Sequence, residues 1–128
     1  MKQNDNSLKI LIVDDDEGIR MGYSQLFKMY GYGVTVASNG FLGIQTFESS
    51  SFDLVITDIL MPGKDGLTMI KQIRDLDLNV KIIAISGGGA SHNMGILDIA
   101  KTFGADMILE KPISTVDLIN IVNDIFRE

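Results

Sequence analysis

The polar residues that could perform chemistry stand directly after short apolar runs of the chain. Asp14 and Asp15 follow the first such run, Asp58 follows a run near the middle, and Ser86 and Lys111 follow two later runs. Three carboxylates that lie close together repel one another, and a hard divalent cation removes that repulsion. With a lysine ammonium and a hydroxyl donor added, the set suits phosphoryl transfer, because that chemistry needs mainly positioning and charge neutralisation.

The ligands that the sequence offers indicate which cation to expect. The chain has no cysteine and a single histidine, His92, which we predict to be a surface or helix-start residue. Oxygen ligands without imidazole or thiolate favour Mg²⁺, with Mn²⁺ as the other candidate. We expect neither a histidine-rich zinc site nor thiol chemistry, and Tyr23 and Tyr30 carry no signal of a role in a site.

Apolar runs of strand length alternate along the chain with segments of helical periodicity. The acidic Asp16 suits the start of the first helix, the turn at 38–40 can cap the second, and Gly31 and Gly104 are placed to end helices. Strands are predicted at 8–13, 33–37, 54–58, 80–85 and 106–109. Helices are predicted over 19–30, 41–47, from 67 to a stop around 75–79, 93–103 and 114–126.

The third strand shows how these elements position the chemistry. Its residues Leu54, Val55 and Ile56 have no polar alternation, which is typical of a strand buried on both faces in a parallel sheet. An unpaired charge is costly inside such a strand, so we expect Asp58 at its carboxyl end.

Five strand–helix units in strict alternation predict an α/β domain with a parallel sheet, right-handed crossovers and helices on both faces. All carboxyl ends of the strands then meet at one edge of the sheet, where open α/β sheets bind ligands. The second strand ends in Ala37, Ser38 and Asn39, which offer little chemistry. We therefore predict that this strand lies to one side of the site.

A length of 128 residues indicates a single domain, and a hydrophobic content of 45% argues against a disordered chain. We predict a polar N-terminal tail at 1–7 and one domain over 8–128. A net charge of −6 and a pI of about 4.6 argue against direct binding to nucleic acid or to an anionic membrane. The start of the chain lacks the apolar segment of a signal peptide, so we predict a cytoplasmic location.

Four short segments resemble the signature segments of the response-regulator receiver domain, the CheY-like module of two-component signalling. They are Val-Asp-Asp-Asp at 13–16, Thr-Asp-Ile-Leu-Met-Pro-Gly-Lys-Asp-Gly at 57–66, Ile-Ser-Gly at 85–87 and Glu-Lys-Pro-Ile at 110–113. The resemblance spans about 8–126, in the family's order. It implies a flavodoxin-like (βα)₅ three-layer sandwich with strand order 2-1-3-4-5.

The resemblance also implies roles for the residues of the site. Asp58 would be the nucleophile and phosphoacceptor and would help to bind Mg²⁺. Asp15 would ligate the metal directly, Asp14 through a bound water, and the Leu60 backbone carbonyl would complete the protein ligands.

The remaining roles implied by the resemblance concern the phosphoryl group. Ser86 would donate a hydrogen bond to it, and Lys111 would pair with Asp58 and then with a phosphoryl oxygen. The Lys111–Pro112 peptide bond would be cis. The domain would catalyse its own phosphorylation and dephosphorylation without being a conventional enzyme.

The implied partners are a histidine kinase or histidine phosphotransfer protein and a downstream protein target. The target would bind the face of helix 4, strand 5 and helix 5. A phosphoprotein of this size would act as a single-domain regulator or phosphorelay intermediate. Ile108 stands where many receivers carry Tyr or Phe, so we expect the signal to travel through the glycine-rich loop at 86–90 and the helix that follows it.

Three alternatives stay open from the sequence alone. The chain could be the receiver fragment of a larger response regulator. A Mg²⁺-dependent phosphatase with an aspartyl nucleophile would usually place a second acid two residues after Asp58, where this chain has Leu60. A flavin mononucleotide-binding module would want a phosphate loop after the first strand, where Asp14 to Asp16 would repel phosphate.

Overall fold

The structure is a computed structural model that describes residues 8–59, 66–87 and 94–127, with the backbone alone described at 94–97. Strands and helices alternate along this part of the chain. They are β1 Lys9–Val13, α1 Glu17–Met29, β2 Gly33–Ala37, α2 Gly40–Ser49, β3 Leu54–Asp58, α3 Gly66–Leu76, β4 Lys81–Ser86, α4 Met94–Phe103, β5 Met107–Glu110 and α5 Thr115–Ile125.

The strands form one parallel sheet in the order β2-β1-β3-β4-β5. This order confirms the predicted topology and places β2 at an edge, to one side of the site. The register pairs Val13 with Thr57 and Ser86 with Glu110. Because the paired residues lie at or next to the ends of their strands, the polar residues at the strand ends meet at one edge of the sheet.

Two apolar clusters cover the two faces of the sheet. Side chains of α2, α3 and α4, among them Met69 and Ala100, pack on one face. Side chains of α1 and α5, among them Phe27 and Leu118, pack on the other. All residues of β3 are buried, which explains why this strand shows no alternation of polar and apolar residues.

Local signals set the helix ends. The side chains of Asp16, Asn39 and Ser114 cap the starts of α1, α2 and α5 by accepting a backbone N–H from the first turn. Gly31 and Gly104 have φ values of 91° and 126°, the left-handed region that favours glycine after a helix. Within the described residues, no helix has the length and apolar character that crossing a bilayer requires.

The last two strands each lie one residue later than the apolar pattern predicts. Val80 precedes β4, and Ser86 ends it instead of beginning a loop. Asp106 precedes β5, where its N–H donates to the Ile82 carbonyl at 2.8 Å. Hydrogen bonds between neighbouring strands determine where a strand ends, and the apolar pattern of the sequence does not indicate these bonds. The predictions for the tail at 1–7, the Leu60 carbonyl, the glycine-rich loop beyond Gly87 and His92 concern residues outside the described part.

Helix α3 begins directly against the end of β3. The N–H of Gly66 donates to the Ile59 carbonyl at 2.9 Å. A Cβ at this position would overlap the carbonyl oxygen of Asp58 and lie 2.9 Å from the Ile59 Cα. Because both neighbours are backbone atoms, neither can turn away as a side chain could. A side chain at residue 66 would therefore displace the backbone of Asp58.

We expect Gly66→Ala to destabilise the domain by roughly 1–3 kcal/mol, the usual range for forcing a methyl group into a filled space. Gly22→Ala is the matched control, since a Cβ there would meet nothing within 4 Å. In the exposed middle of α1 that change should stabilise by about 0.5–1 kcal/mol. Urea unfolding measures both, and equal midpoints for Gly66→Ala and the native protein would contradict the prediction.

Candidate functional site

Three carboxylates gather where β1 and β3 end. Asp14 and Asp15 follow β1, and Asp58 is the last residue of β3. Each offers an oxygen, and these three oxygens lie within 4.8 Å of one another. Asp14 is 3% exposed and Asp58 is 8% exposed, whereas Asp15 faces solvent. We call these three residues the acid cluster. The sequence prediction that they would meet at one sheet edge is confirmed.

Lys111, which directly follows β5, brings a positive charge to this cluster. Its Nζ donates to Asp58 Oδ2 at 3.4 Å and to Asp14 Oδ2 at 3.5 Å. These distances are long for hydrogen bonds, so the attraction is mainly electrostatic. The peptide bond between Lys111 and Pro112 is cis, as the resemblance implies.

The surroundings of Lys111 favour its charged form. Burial by itself lowers the pKa of the Lys111 ammonium, but the negative charges of Asp58 and then Asp14 outweigh burial. The pKa therefore lies above its ordinary value. At neutral pH the site keeps a fixed positive charge between two buried carboxylates.

Ser86 lies beside the acid cluster, because its strand β4 pairs with β3. It is fully buried at the end of β4, and its Oγ has no hydrogen-bond partner within the described part of the chain. A buried hydroxyl without a partner costs about 1–3 kcal/mol. By contrast, Thr57 Oγ1 on the neighbouring strand donates to the Asp58 carbonyl at 2.9 Å. The Ser86 hydroxyl is therefore available to a ligand.

Tyr23 lies near the site although the sequence carries no signal for it. It is half-buried on α1 and lines a cleft of about 470 Å³ with Ile19, Lys111, Pro112 and Ile113. Burial raises the pKa of the Tyr23 phenol, Lys111 lowers it, and Asp14 and Asp58 raise it further, leaving it above its ordinary value. The four-residue spacing of Ile19 and Tyr23 indicates that they share one face of α1. The sequence does not indicate that this face lies beside Lys111.

Ile108 stands at the position where the resemblance places an aromatic ring. It pairs with Ala84 in the sheet and packs, partly buried, against the apolar cluster under α2, α3 and α4. How the signal would leave the site stays a prediction, because the glycine-rich loop lies outside the described residues.

The chemistry of the acid cluster fits a hard cation. Its donors are carboxylate oxygens, two of them buried and one open to solvent. Mg²⁺ is typically held by one or two carboxylates and keeps positions for water and phosphate. The exposed Asp15 leaves an entry path, and the closeness of the three oxygens gives a reason for a cation to bind.

The fold and site together define a parallel α/β protein with an acid cluster, a lysine and a free hydroxyl at the carboxyl edge of its sheet. The sequence model of the response regulator receiver domain matches residues 10–123. The chain belongs to the response regulator receiver domain family.

Named relatives and solved structures agree with this assignment. Sporulation initiation phosphotransferase F of Bacillus subtilis (strain 168) is 33% identical over 104 residues, covering 81% of this chain and 82% of the relative. Chemotaxis protein CheY of the same organism is 36% identical over 110 residues, covering 80% and 92%. A CheY-like receiver domain protein of Methanospirillum hungatei JF-1 superposes with a TM-score of 0.87 at 27% identity, covering 93% of each chain.

Some relatives are longer than this chain. The transcriptional regulatory protein RprY of Bacteroides fragilis (strain YCH46) is 30% identical over 125 residues, but the chain spans 51% of its length. The receiver domain therefore occurs in the family both as most of a protein and as one part of a larger regulator.

We expect Asp58→Asn to lower the pKa of Lys111, because one of the two facing negative charges is removed. NMR titration of the Lys111 side chain at alkaline pH measures the shift. In the native protein the raised pKa adds stability that is complete below the ordinary lysine value of about 10.4 and is lost as pH rises through the folded-state value. The Asp58→Asn variant should lose this stability at a lower pH than the native protein does. Asp75→Asn, at an exposed acid on α3, is the control, and an unchanged Lys111 titration in Asp58→Asn would contradict the prediction.

Proposed function

We propose that this chain is a phosphoacceptor receiver that takes a phosphoryl group from a phosphohistidine onto Asp58. The observation that carries the proposal is the placement of the Asp58 carboxylate. The Lys111 ammonium lies 3.4 Å from its Oδ2, and two further carboxylates could hold a cation together with it. The Ser86 hydroxyl, without a partner among the described residues, lies at the same sheet edge. Nucleophile, charge neutralisation and a hydrogen-bond donor thus meet at one point.

The proposed transfer is a direct displacement at phosphorus. A carboxylate oxygen of Asp58 forms a bond to phosphorus as the phosphorus–nitrogen bond to the donor imidazole breaks. The electron pair of that bond goes to the imidazole nitrogen, which takes up a proton. Lys111 offsets the charge of the phosphoryl oxygens, and the Ser86 hydroxyl donates a hydrogen bond to one of them.

Asp14 and Asp15 would hold the cation together with Asp58. Bound Mg²⁺ or Mn²⁺ supplies positive charge that offsets both the repulsion within the acid cluster and the charge of the incoming phosphoryl group. The Leu60 backbone carbonyl, outside the described residues, stays a predicted further ligand.

Water attack on the acyl phosphate would return Asp58 to its starting state and reset the switch. The partners that we propose are a histidine kinase or histidine phosphotransfer protein and a downstream target. The face of α4, β5 and α5 would contact the target. The lengths of the relatives agree with three roles for this chain: a single-domain regulator, a phosphorelay intermediate or the receiver part of a longer regulator. The cytoplasmic location stays a prediction of the sequence.

We expect the native protein to gain one phosphoryl group when it is incubated with Mg²⁺ and acetyl phosphate, a small donor that needs no protein partner. Intact mass under acidic quench measures the adduct. Asp58→Asn should gain none, because the nucleophile is lost, whereas Asp75→Asn should behave as the native protein does. An adduct of native size on Asp58→Asn, or none on the native protein, would falsify the proposal.

We expect Mg²⁺ to raise the melting temperature of the native protein, because a ligand that binds the folded state alone stabilises it, by about 2.7 kcal/mol at one hundred times its Kd. Asp15→Asn should melt higher than the native protein without Mg²⁺, since one repelling charge is gone, and should gain less from Mg²⁺. Thermal unfolding followed by circular dichroism measures both effects. Equal gains from Mg²⁺ in the variant and the native protein would exclude Asp15 as a ligand.

A further inference from the structure

Asp14 is held from four sides, each time through a different polar atom. Its N–H donates to the Ala37 carbonyl at 3.2 Å. Its Oδ1 accepts from the Asp16 N–H at 2.9 Å, and its Oδ2 accepts from Lys111 Nζ at 3.5 Å. Its main-chain carbonyl accepts from Arg20 Nη1 at 2.8 Å. The last of these is the shortest, and it comes from a charged donor.

The Asp14 carbonyl stands where regular secondary structure supplies no donor. Strand β1 ends at Val13, and helix α1 begins at Glu17. The Asp14 N–H still bonds to Ala37, but the Asp14 carbonyl lies in the junction between the strand and the helix. Arg20, in the second turn of α1, reaches back over this junction. Its guanidinium presents charged donors in a fixed plane. It therefore anchors the peptide from which the buried Asp14 carboxylate extends.

Arg20 approaches the site from the β2 side of the sheet, whereas Lys111 approaches from the β5 side. The half-buried Arg20 side chain lines a groove with Val36 and Leu42, at the corner between α1, β2 and α2. From this corner the guanidinium reaches the Asp14 carbonyl.

We propose that Arg20 is a positioning residue of the phosphoryl-transfer site, which acts through the Asp14 backbone carbonyl to keep the Asp14 carboxylate facing Lys111, Asp58 and a bound cation. The proposal rests on the proposed function, because it assumes that the acid cluster binds a divalent cation. It assigns Arg20 no contact with the phosphoryl group or with the metal.

Replacing Arg20 changes the affinity for a divalent cation in opposite directions, depending on whether Arg20 positions Asp14 or only adds charge. Loss of the Arg20 charge alone would strengthen the binding of a divalent cation, because a nearby positive charge is removed. Loss of the hydrogen bond would weaken binding, because the Asp14 carboxylate would no longer be held in place. Groups that orient metal ligands commonly contribute ten- to a hundredfold to metal affinity. Since Arg20 acts through a backbone peptide, we expect about the lower of these values.

Isothermal titration with Mg²⁺ and no phosphodonor is the test. We expect Arg20→Met, which keeps the apolar stem, to bind Mg²⁺ about tenfold more weakly than the native protein. Arg20→Lys retains a charged donor and should recover most of the affinity. Lys28→Met removes the same charge at the exposed far end of α1 and should bind at least as tightly as the native protein. The ¹³C shift of the Asp14 carbonyl in the metal-free protein should move in Arg20→Met and much less in Arg20→Lys.

Equal or tighter Mg²⁺ binding by Arg20→Met would overturn the proposal, as would an unmoved Asp14 carbonyl shift. Native protein that binds no Mg²⁺ would overturn it too. If Arg20→Met does not fold, the Arg20→Lys variant decides, because a tenfold loss there would show that the retained charged donor does not hold Asp14. Phosphoryl acceptance is measured separately, so native protein that binds Mg²⁺ but takes no phosphoryl group would refute the proposed function and leave this inference standing.

Discussion

Repulsion between carboxylates gathered at one sheet edge is the constraint on which the rest of the site depends. Like charges about 5 Å apart repel by a few kcal/mol at the effective dielectric of a protein surface, and three oxygens of the acid cluster lie within 4.8 Å of one another. Burial of Asp14 and Asp58 makes the repulsion harder to screen. Lys111 offsets part of it, and a divalent cation and an incoming phosphoryl group would redistribute the rest. Binding of a cation or a phosphoryl group would therefore lower the electrostatic energy of the site.

The carboxyl ends of the strands, where the site lies, differ from the amino ends in how completely the nearby polar groups are hydrogen-bonded. At the edge opposite the site, Arg74 donates to the carbonyls of Val80 and Gly104 and pairs with Asp106 at 2.9 Å. These bonds tie the end of α3 to the end of α4 and the start of β5. At the site edge, by contrast, the Ser86 hydroxyl is buried without a partner in the described part of the chain. The Arg74 bonds therefore secure the edge opposite the site, whereas the site edge has a buried hydroxyl that a ligand could bond, the pattern expected of a functional site.

Much of the fold could be predicted because its signals are local. Apolar runs, helical spacing and capping side chains such as Asp16 and Asn39 depend on residues a few positions apart. Strict alternation of strands and helices then leaves few topologies, and one of them brings Asp14, Asp58 and Lys111 together. Strand ends were less accurate, by one residue at β4 and β5, because hydrogen bonds such as that of Asp106 to Ile82 join residues that no local pattern connects.

The sequence by itself determined which chemical groups reach the site edge, since a residue that directly follows a strand of a parallel sheet must lie there. The tertiary structure alone decided how those groups are held. Whether Arg20 reaches the Asp14 carbonyl, whether Tyr23 faces the cleft beside Lys111, and whether Ser86 finds a partner all depend on how α1 and β4 pack against their neighbours. Such contacts change with ångström-scale shifts of helices and strands, whereas sequence patterns fix only which face of an element a residue occupies.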